Sequence, residues 1–574
     1  MSVRATVRTS GSIARPGSAA GSRLGHLLRP SLAYRDRLGA NVAGLRSKRL
    51  AVTSEEGSED REAQATGRFD LLLRPTVAVR AGLALGSALL YALAFPPFDL
   101  GFAVGWTALV PLVLAVRGLR GRHAALLGGL FGFAATQIIF GWMYRFAAFH
   151  LWHGAVLAGY LALFPAAFAV ALARWGSERR GLVYVPAAGA LVEWLRAHTG
   201  FLSVPWASFG QTQHRNLSLL QLAPFAGEIA LGIVVVAVNV ALAQLLVGAL
   251  RREKTSHTAP ATLGVVAVLH LVLLGRLYRA ESGESVAVAA VQPAIAVGAR
   301  AAGHEDQILE DLATLSRRAR RDGAELVVWP ESSVGALELD MDTKLAVRDV
   351  VEEIDVPIVL GSSHAEKMAK PKPGAPPARP SNAAFVMAPR TSVPPPYKKV
   401  RLLPFGEYRP IDLPESIAPR MFDTERGEHH MVLEAGAIKV EPIICWENLF
   451  AEDVHGAATE EPTVIAHLVN DGWFGPTAQP ALHNLASVMR AAEANRPVVL
   501  ASNLGPSQII DARGRVVARS THFYAPDVVT AKVHMPGGMT PYRRFGDFTW
   551  ALPLLALVAG CRRAARGPSS ARRQ

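Results

Sequence analysis

A thiol, a carboxylate and an ammonium lie in three short segments of this chain. They are Ile444-Cys445-Trp446-Glu447, Val328-Trp329-Pro330-Glu331, and Tyr397-Lys398-Lys399 with the Leu403-Pro404-Phe405-Gly406-Glu407 run that follows. Such groups are the minimum set for moving an acyl group through a thioester: one attacks, one takes its proton, and one steadies the anion that forms. Cys445 closes a strand-like run, 438–444, so the thiol stands where a strand gives way to a turn. The apolar half that precedes these segments reads as a membrane domain, and it decides which acyl group is moved.

Two cysteines, Cys445 and Cys561, are too few for a disulfide framework, and Cys561 lies at the far end of the last apolar run. A lone cysteine in an exported domain is either an inert buried residue or a thiol kept for chemistry. Residue type alone leaves the two level. His429-His430 has no third ligand nearby and no metal spacing, so it reads as an exposed loop pair. Neither a metal nor another cofactor is expected. Asn470-Asp471 reads as a turn after a strand rather than as acid chemistry.

The elements that must position these groups alternate between strand and helix. Residues 286–291, 325–329, 357–361, 438–444, 463–469 and 497–501 read as strands, and 481–495 as a helix. Over 304–322, Ile308, Leu312, Leu315 and Ala319 share one helical face, with Gly323 where a C-terminal glycine is expected. Asp511 to Gly514 is a hairpin turn between 507–510 and 516–518. The alternation predicts a layered α/β fold, with 367–380 as a mobile loop rich in Pro and Lys.

Composition sets the other half apart. Hydrophobic residues make up 50% of the 574, and the mean hydropathy is +0.22. They crowd into runs at 77–95, 100–116, 124–143, 154–173, 181–195, 229–250 and 259–274, with an eighth at 548–560. These approach the ~20 residues that cross a bilayer. The net charge of +13 does not point to nucleic acid, because many arginines sit in clusters between the apolar runs. Arg117, Arg120 and Arg122 follow the second run, Arg174, Arg179 and Arg180 the fourth. Arg251, Arg252 and Lys254 follow the sixth, and Arg562, Arg563 and Arg566 the eighth. All four clusters fall on one face, which the positive-inside rule makes cytoplasmic. Arg276 and Arg279, after the seventh run, break the pattern.

The reading is four parts: a disordered basic N-terminal extension over 1–75, and a membrane domain of about seven helices over 76–280. An exported catalytic domain over 281–547 and a C-terminal helix with a basic tail over 548–574 complete it. Trp106, Trp142, Trp152, Trp175, Trp194 and Trp206 read as mostly interfacial anchors, while Glu193 and Arg196 are equally a structural pair or a functional one.

The order Glu in W-P-E-S, Lys in Y-x-K-x-x-L-x-P-F-G-E-Y and Cys in I-C-x-E resembles the carbon–nitrogen hydrolase, or nitrilase, superfamily. The spans, Glu193-Trp194-Leu195-Arg196 with Pro205-Trp206 and Gly210, Asn470 through Gly475, and Thr540-Pro541-Tyr542 with Arg544 and Gly546-Asp547 narrow it. From about residue 76 to 560 the chain is similar to the apolipoprotein N-acyltransferases. That resemblance implies a polytopic α-helical membrane domain plus an α/β nitrilase-like α-β-β-α sandwich. It implies Cys445 as nucleophile, Glu331 as general base and Lys399, rather than Lys398, as the cation at the oxyanion. Glu407 and Glu447 would be supporting acidic residues, Glu447 alternatively a structural partner, and Trp446, Trp473 and Phe405 candidates for the substrate loops. It also implies a phospholipid acyl donor, diacylglyceryl-modified apolipoproteins as acceptors, and a bacterial inner-membrane location with the catalytic domain on the periplasmic side. The rivals are an exported, membrane-anchored amidase of the same superfamily and a scaffold without activity. The sequence departs from the family pattern at Trp446, usually Tyr, at Asn503-Leu504-Gly505, and in the loop after Gln292, where Arg300-Ala301 lacks a tryptophan.

Overall fold

In the computed structural model, residues 75–566 are described, apart from 147–148, 254–255, 297, 301, 365–379, 416–422 and 458. The expectations for the N-terminal extension, and for nearly all of the 367–380 loop, lie outside these residues.

Each apolar run forms helix. They are α1 (Val77–Ala92), α2 (Val110–Val116), α3 (Gly121–Ile139), α4 (Leu151–Trp175), α5 (Gly181–Ala197), α6 (Ala223–Arg251), α7 (Thr258–Leu277) and, at the other end of the chain, α11 (Phe548–Arg566). Among the described residues three helices, α4, α6 and α7, are both long and apolar enough to cross a membrane, while α1 and α11 are shorter apolar helices. At 1.5 Å per residue the 16 residues of α1 reach about 24 Å, less than the ~30 Å of a hydrocarbon core. The second run breaks into Gly101–Val104 and α2. Pro111, lacking an N–H, stands at the start of the second piece, where a helix tolerates it.

The second half is two six-stranded sheets packed face to face. One runs β12-β1-β2-β3-β4-β5, the other β11-β10-β9-β8-β7-β6. The strands of the first are β1 (Glu284–Gln292), β2 (Leu326–Val328), β3 (Ile358–His364), β4 (Ser381–Met387), β5 (Tyr397–Lys398) and β12 (Asp527–Met535). Those of the second are β6 (Leu433–Ala435), β7 (Ile438–Ile444), β8 (Val464–Val469), β9 (Val498–Ser502), β10 (Gln508–Ile510) and β11 (Val516–Arg519). The strand period of two sorts the side chains. Val286, Val288 and Ala290 enter the core between the sheets, whereas Ala289 and Val291 face α8 (Glu305–Arg321) and α9 (Met341–Ile354). On α8 the buried stripe includes Ile308, Leu312, Leu315 and Ala319, and Gly323 takes φ +87° just beyond it.

The remaining layer joins the halves. α10 (Gln479–Ala494) covers the second sheet, and all of its residues but Ala481 are buried. Its inner face packs with Ile443, Ile465 and Leu500, and the same apolar cluster continues into Leu231 of α6 and Leu273 of α7. The helix is therefore both outer layer of the sandwich and floor of the helical half. Strands β4, β5, β6 and β12 were not read from the sequence; β12 pairs antiparallel with the whole of β1.

Candidate active site

The chemistry-bearing residues gather where β2, β5, β7, β8 and β9 end. Cys445 follows β7 directly, in a left-handed conformation with φ +54°, and opens a 3₁₀ turn, Cys445–Leu449. Such a conformation is uncommon for a residue with a Cβ, and it turns the half-buried thiol out of the strand line. Ser332, beside Glu331, is likewise left-handed at φ +51°. Arg300 braces that turn, donating to the carbonyl of Ser332 at 2.5 Å and to that of Ser333, and pairing with Glu305 at 3.0 Å.

Lys399, not Lys398, reaches the carboxylates. Its Nζ stands 2.9 Å from Glu407 Oε2 and 3.6 Å from Glu331 Oε1. Asn382 Nδ2, on β4, donates to both acids, at 2.7 Å to Glu331 Oε1 and 3.1 Å to Glu407 Oε1. Glu331 Oε2 accepts from the backbone N–H of Asn470 at 3.0 Å, and Glu407 Oε2 from that of Leu403 at 2.7 Å. Behind the cysteine, its carbonyl lies 2.8 Å from His467 Nε2, and His467 Nδ1 lies 2.9 Å from Ser487 Oγ.

The charges bear on one another. Burial pushes the Cys445 thiol well above its ordinary value; the Glu331 charge adds to this and Lys399 opposes it. Burial likewise raises the Glu331 carboxyl, against the pull of Lys399 and with a push from Glu407. For Lys399 burial acts to lower the pKa, but Glu407, Cys445 and Glu331 together outweigh it and hold the ammonium charged. The resting arrangement is thus a neutral thiol beside a carboxylate of heightened basicity and a fixed cation. A proton can pass from sulfur to Glu331 as the sulfur attacks, with Lys399 placed to meet negative charge.

The other expected residues divide. Glu407 belongs to the cluster. Glu447 does not meet it directly: its oxygens accept from Tyr397 Oη, the N–H groups of Val400 and Arg401, and the N–H of Ile444, all at 2.7–3.0 Å. It ties the cysteine turn to the lysine strand, partnering backbone and hydroxyl rather than a buried cation. Trp446 packs against Phe450, with ring centroids 5.1 Å apart, and donates to the Arg401 carbonyl at 2.8 Å. Trp473 is 44% exposed, and Phe405 sits at φ +63° within the turn that carries Glu407. Those two remain on the surface of the loops around the site.

Several readings need correction. His430 is not an exposed loop residue; Tyr397 Oη lies 3.1 Å from its Nδ1, and Asp453 3.4 Å from its Nε2. Asp471 is buried against His483, 3.1 Å from its Nδ1, so the turn after β8 is also tied to α10. Trp142 and Trp206 are not interfacial anchors. Their rings meet edge to face at 5.8 Å, and Trp142 meets Phe474 at 5.0 Å, joining the helical half to the loop after β8. Glu193 and Arg196 do pair, at 3.3 Å, and Glu193 also accepts from the Phe209 N–H. Asn382 and the Asn470 backbone were missed, since Asn382 sits in an apolar strand with no catalytic signature of its own. Among the described residues no cluster of three or more His, Cys, Asp and Glu could hold a metal.

Two family models match the chain: "Apolipoprotein N-acyltransferase N-terminal domain" over residues 87–241 and "Carbon-nitrogen hydrolase" over 287–538. The apolipoprotein N-acyltransferase of Geobacter metallireducens is 30% identical over 494 residues, covering 82% of this chain and 92% of that protein. The apolipoprotein N-acyltransferase of Rhizobium etli is 30% identical, covering 76% and 87%. That of Pseudomonas aeruginosa is 28% identical, covering 83% and 94%. Among solved structures, an amidase from Nesterenkonia sp. is similar at 16% identity and a TM-score of 0.33, covering 50% of this chain and 98% of that one.

Proposed function

We propose that this chain, which belongs to the apolipoprotein N-acyltransferase family, moves an acyl group from a phospholipid to the N-terminal amine of diacylglyceryl-modified lipoproteins, with Cys445 as the carrier. The observation that carries this is the half-buried thiol at the end of β7, facing a buried Glu331–Lys399–Glu407 cluster in a sandwich built onto apolar helices.

In the first half-reaction Glu331 accepts the thiol proton as the sulfur attacks the ester carbonyl. Lys399 donates to the oxyanion of the tetrahedral intermediate. The lysophospholipid alkoxide departs with the proton held by Glu331, and the acyl group stays on sulfur as a thioester. In the second half the free α-amine attacks that thioester and gives up a proton to Glu331. An amide is released, and the thiol is restored with that proton. No oxidant, metal or further reactant is needed.

The arginine clusters support a multi-pass protein of a bacterial inner membrane with the sandwich on the periplasmic side. A reporter active only outside the cytoplasm tests this. Fused after Gly283 it should be active, and fused after Arg252 silent; the reverse result places the sandwich in the cytoplasm and ends the outer-leaflet reading.

The central test is mass spectrometry of the purified protein after incubation with phospholipid. An acyl adduct is expected on Cys445 and none in Cys445→Ser, whose hydroxyl is far harder to ionise at neutral pH. An unmodified wild-type Cys445 overturns the thioester. Release of free fatty acid, with no amide formed when a lipoprotein substrate is present, supports the amidase instead.

A further inference from the structure

We propose that a cavity between the sandwich-side ends of α6 and α7 holds the phosphodiester headgroup of a phospholipid, at a site separate from Cys445. The cavity has a volume of about 210 Å³, and Pro224, Phe225, Arg276, Asn495, Gly538 and Met539 help to line it. A single water needs only ~10–15 Å³ by the same measure, so the space suits a polar group of several heavy atoms.

Arg276 is the cation of this cavity. Its guanidinium stands 5.3 Å from the Phe225 ring, and it makes one long hydrogen bond, 3.4 Å to Asn495 Oδ1. Its Nε is buried with no hydrogen-bond partner. Its charged neighbours are Arg513 and Arg279, which add like charge. Arg513 is committed elsewhere, donating to the carbonyls of Leu277 and Ala280 at 2.6 and 3.1 Å. A buried guanidinium donor without an acceptor is costly to leave unmatched. The geometry therefore asks for an anion from outside the chain.

The surroundings say which kind. α7 is apolar and nearly bare, with 11% of its span buried. Val265, Val268 and Val272 are 68%, 59% and 65% exposed, and their spacing puts them on one helical face. That face offers hydrocarbon along the helix and a cation at its end, which matches an amphiphile with an anionic head. It also gives a role to the arginine that breaks the charge pattern of the membrane half. The site is distinct from the thiol. Asn495 precedes β9 and Asn503, beside the active-site Asn470, follows it, so the five residues of that strand separate them. The proposal stands whether or not Cys445 carries an acyl chain, and on either face of the membrane.

The test is native mass spectrometry of the full chain in detergent, titrated separately with dioleoyl-phosphatidylglycerol, dioleoylglycerol and inorganic phosphate. Phosphatidylglycerol should be retained. Arg276→Gln should weaken that retention about tenfold or more, Arg276→Lys should restore most of it, and Arg120→Gln, in a basic cluster elsewhere, should leave it unchanged. Met539→Trp, which fills the cavity and keeps the charge, should produce a similar loss, so the proposal stays testable if one variant fails to fold. Undiminished retention in both Arg276→Gln and Met539→Trp overturns the site. Equal retention of dioleoylglycerol removes the phosphate from the argument. Saturation by inorganic phosphate at matched concentration makes it a free-anion site and overturns the lipid assignment.

Discussion

Two buried clusters in this molecule each set two acids around one cation, and the acids differ: burial, against the pull of Arg490, pushes the Glu493 carboxyl up to about 8. At the strand ends Lys399 lies between Glu331 and Glu407; between the helical half and the sandwich Arg490 lies between Glu228 and Glu493. Burial does not tell them apart: the side chains are 1%, 9% and 12% exposed in the first, and 3%, 13% and 0% in the second. The cations differ. Arg490 meets both acids through Nη2, which donates to Glu228 Oε2 at 2.7 Å and to Glu493 Oε1 at 3.2 Å, and the planar guanidinium fixes the direction of that donor. Glu228 adds a backbone donor to Glu493 and accepts from Ser208. Tyr542 closes the approach, its ring against Gly227, where a φ of +69° and the nearby ring atoms leave no room for a Cβ. Lys399 is a point charge with three donors, and the half-buried thiol lies within reach of its field. Two acids and a cation make a brace when sealed, and under the proposed function they serve a proton transfer when one side opens on the thiol.

Substituting each cluster in turn is the sharpest way to break that comparison. Glu331→Gln keeps the shape and the Asn382 contact but removes the base, and should lower acyl transfer by ~10²–10⁴ with a melting temperature near that of wild type. Arg490→Met should do the opposite. Removing the cation from its buried acids costs about 3–5 kcal/mol of stability, while the fraction that stays folded should transfer acyl groups at close to the normal rate. Rate assays beside thermal melts of both variants check this. Lost turnover in well-folded Arg490→Met would make the second cluster part of the chemistry.

A smaller effect separates adjacent lysines. Lys399→Ala should cost ~10²–10³ in rate, the usual loss for one preorganised oxyanion donor, and Lys398→Ala little. Equal losses under single-turnover conditions would overturn the assignment of the oxyanion cation to Lys399.

How much of this was legible in the sequence follows from range. The meeting of Cys445, Glu331 and Lys399 at the strand ends was, because each follows a strand whose apolar run is local, and motif order ties them together. The α/β alternation was legible for the same reason. Asn382 was not, because its role exists only once β4 lies beside β3 and β5. Nor was the packing of Trp142 and Trp206 on Phe474, since interfacial and buried tryptophans look alike in an apolar run. The second apolar run, where length and hydropathy suggested one helix, makes two, Gly101–Val104 and α2. Glu447 looked like chemistry because it stands two residues from the thiol, yet its four donors are a hydroxyl and three backbone N–H groups, three of the four supplied by the distant segment 397–401.

The finest test of the comparison is a pH profile. Glu331 must be ionised to take the thiol proton, so activity should rise with pH through its pKa, which burial and the neighbouring Glu407 charge hold above the ordinary glutamate value. In Glu407→Gln the neutral amide keeps an oxygen for Lys399 and Leu403 but no longer repels the Glu331 charge. Ionised Glu331 becomes easier to form, and the acid limb should move to lower pH. The Cys445 thiol, which the Glu407 charge also raises, should then ionise more readily, so alkylation of Cys445 by iodoacetamide should gain rate at lower pH as well. The pH dependence of kcat/KM for thioester formation, read beside that alkylation, checks both. An acid limb that stays put in a folded Glu407→Gln protein would show that Lys399 screens the two carboxylates completely, and that the open cluster is electrostatically as rigid as the sealed one.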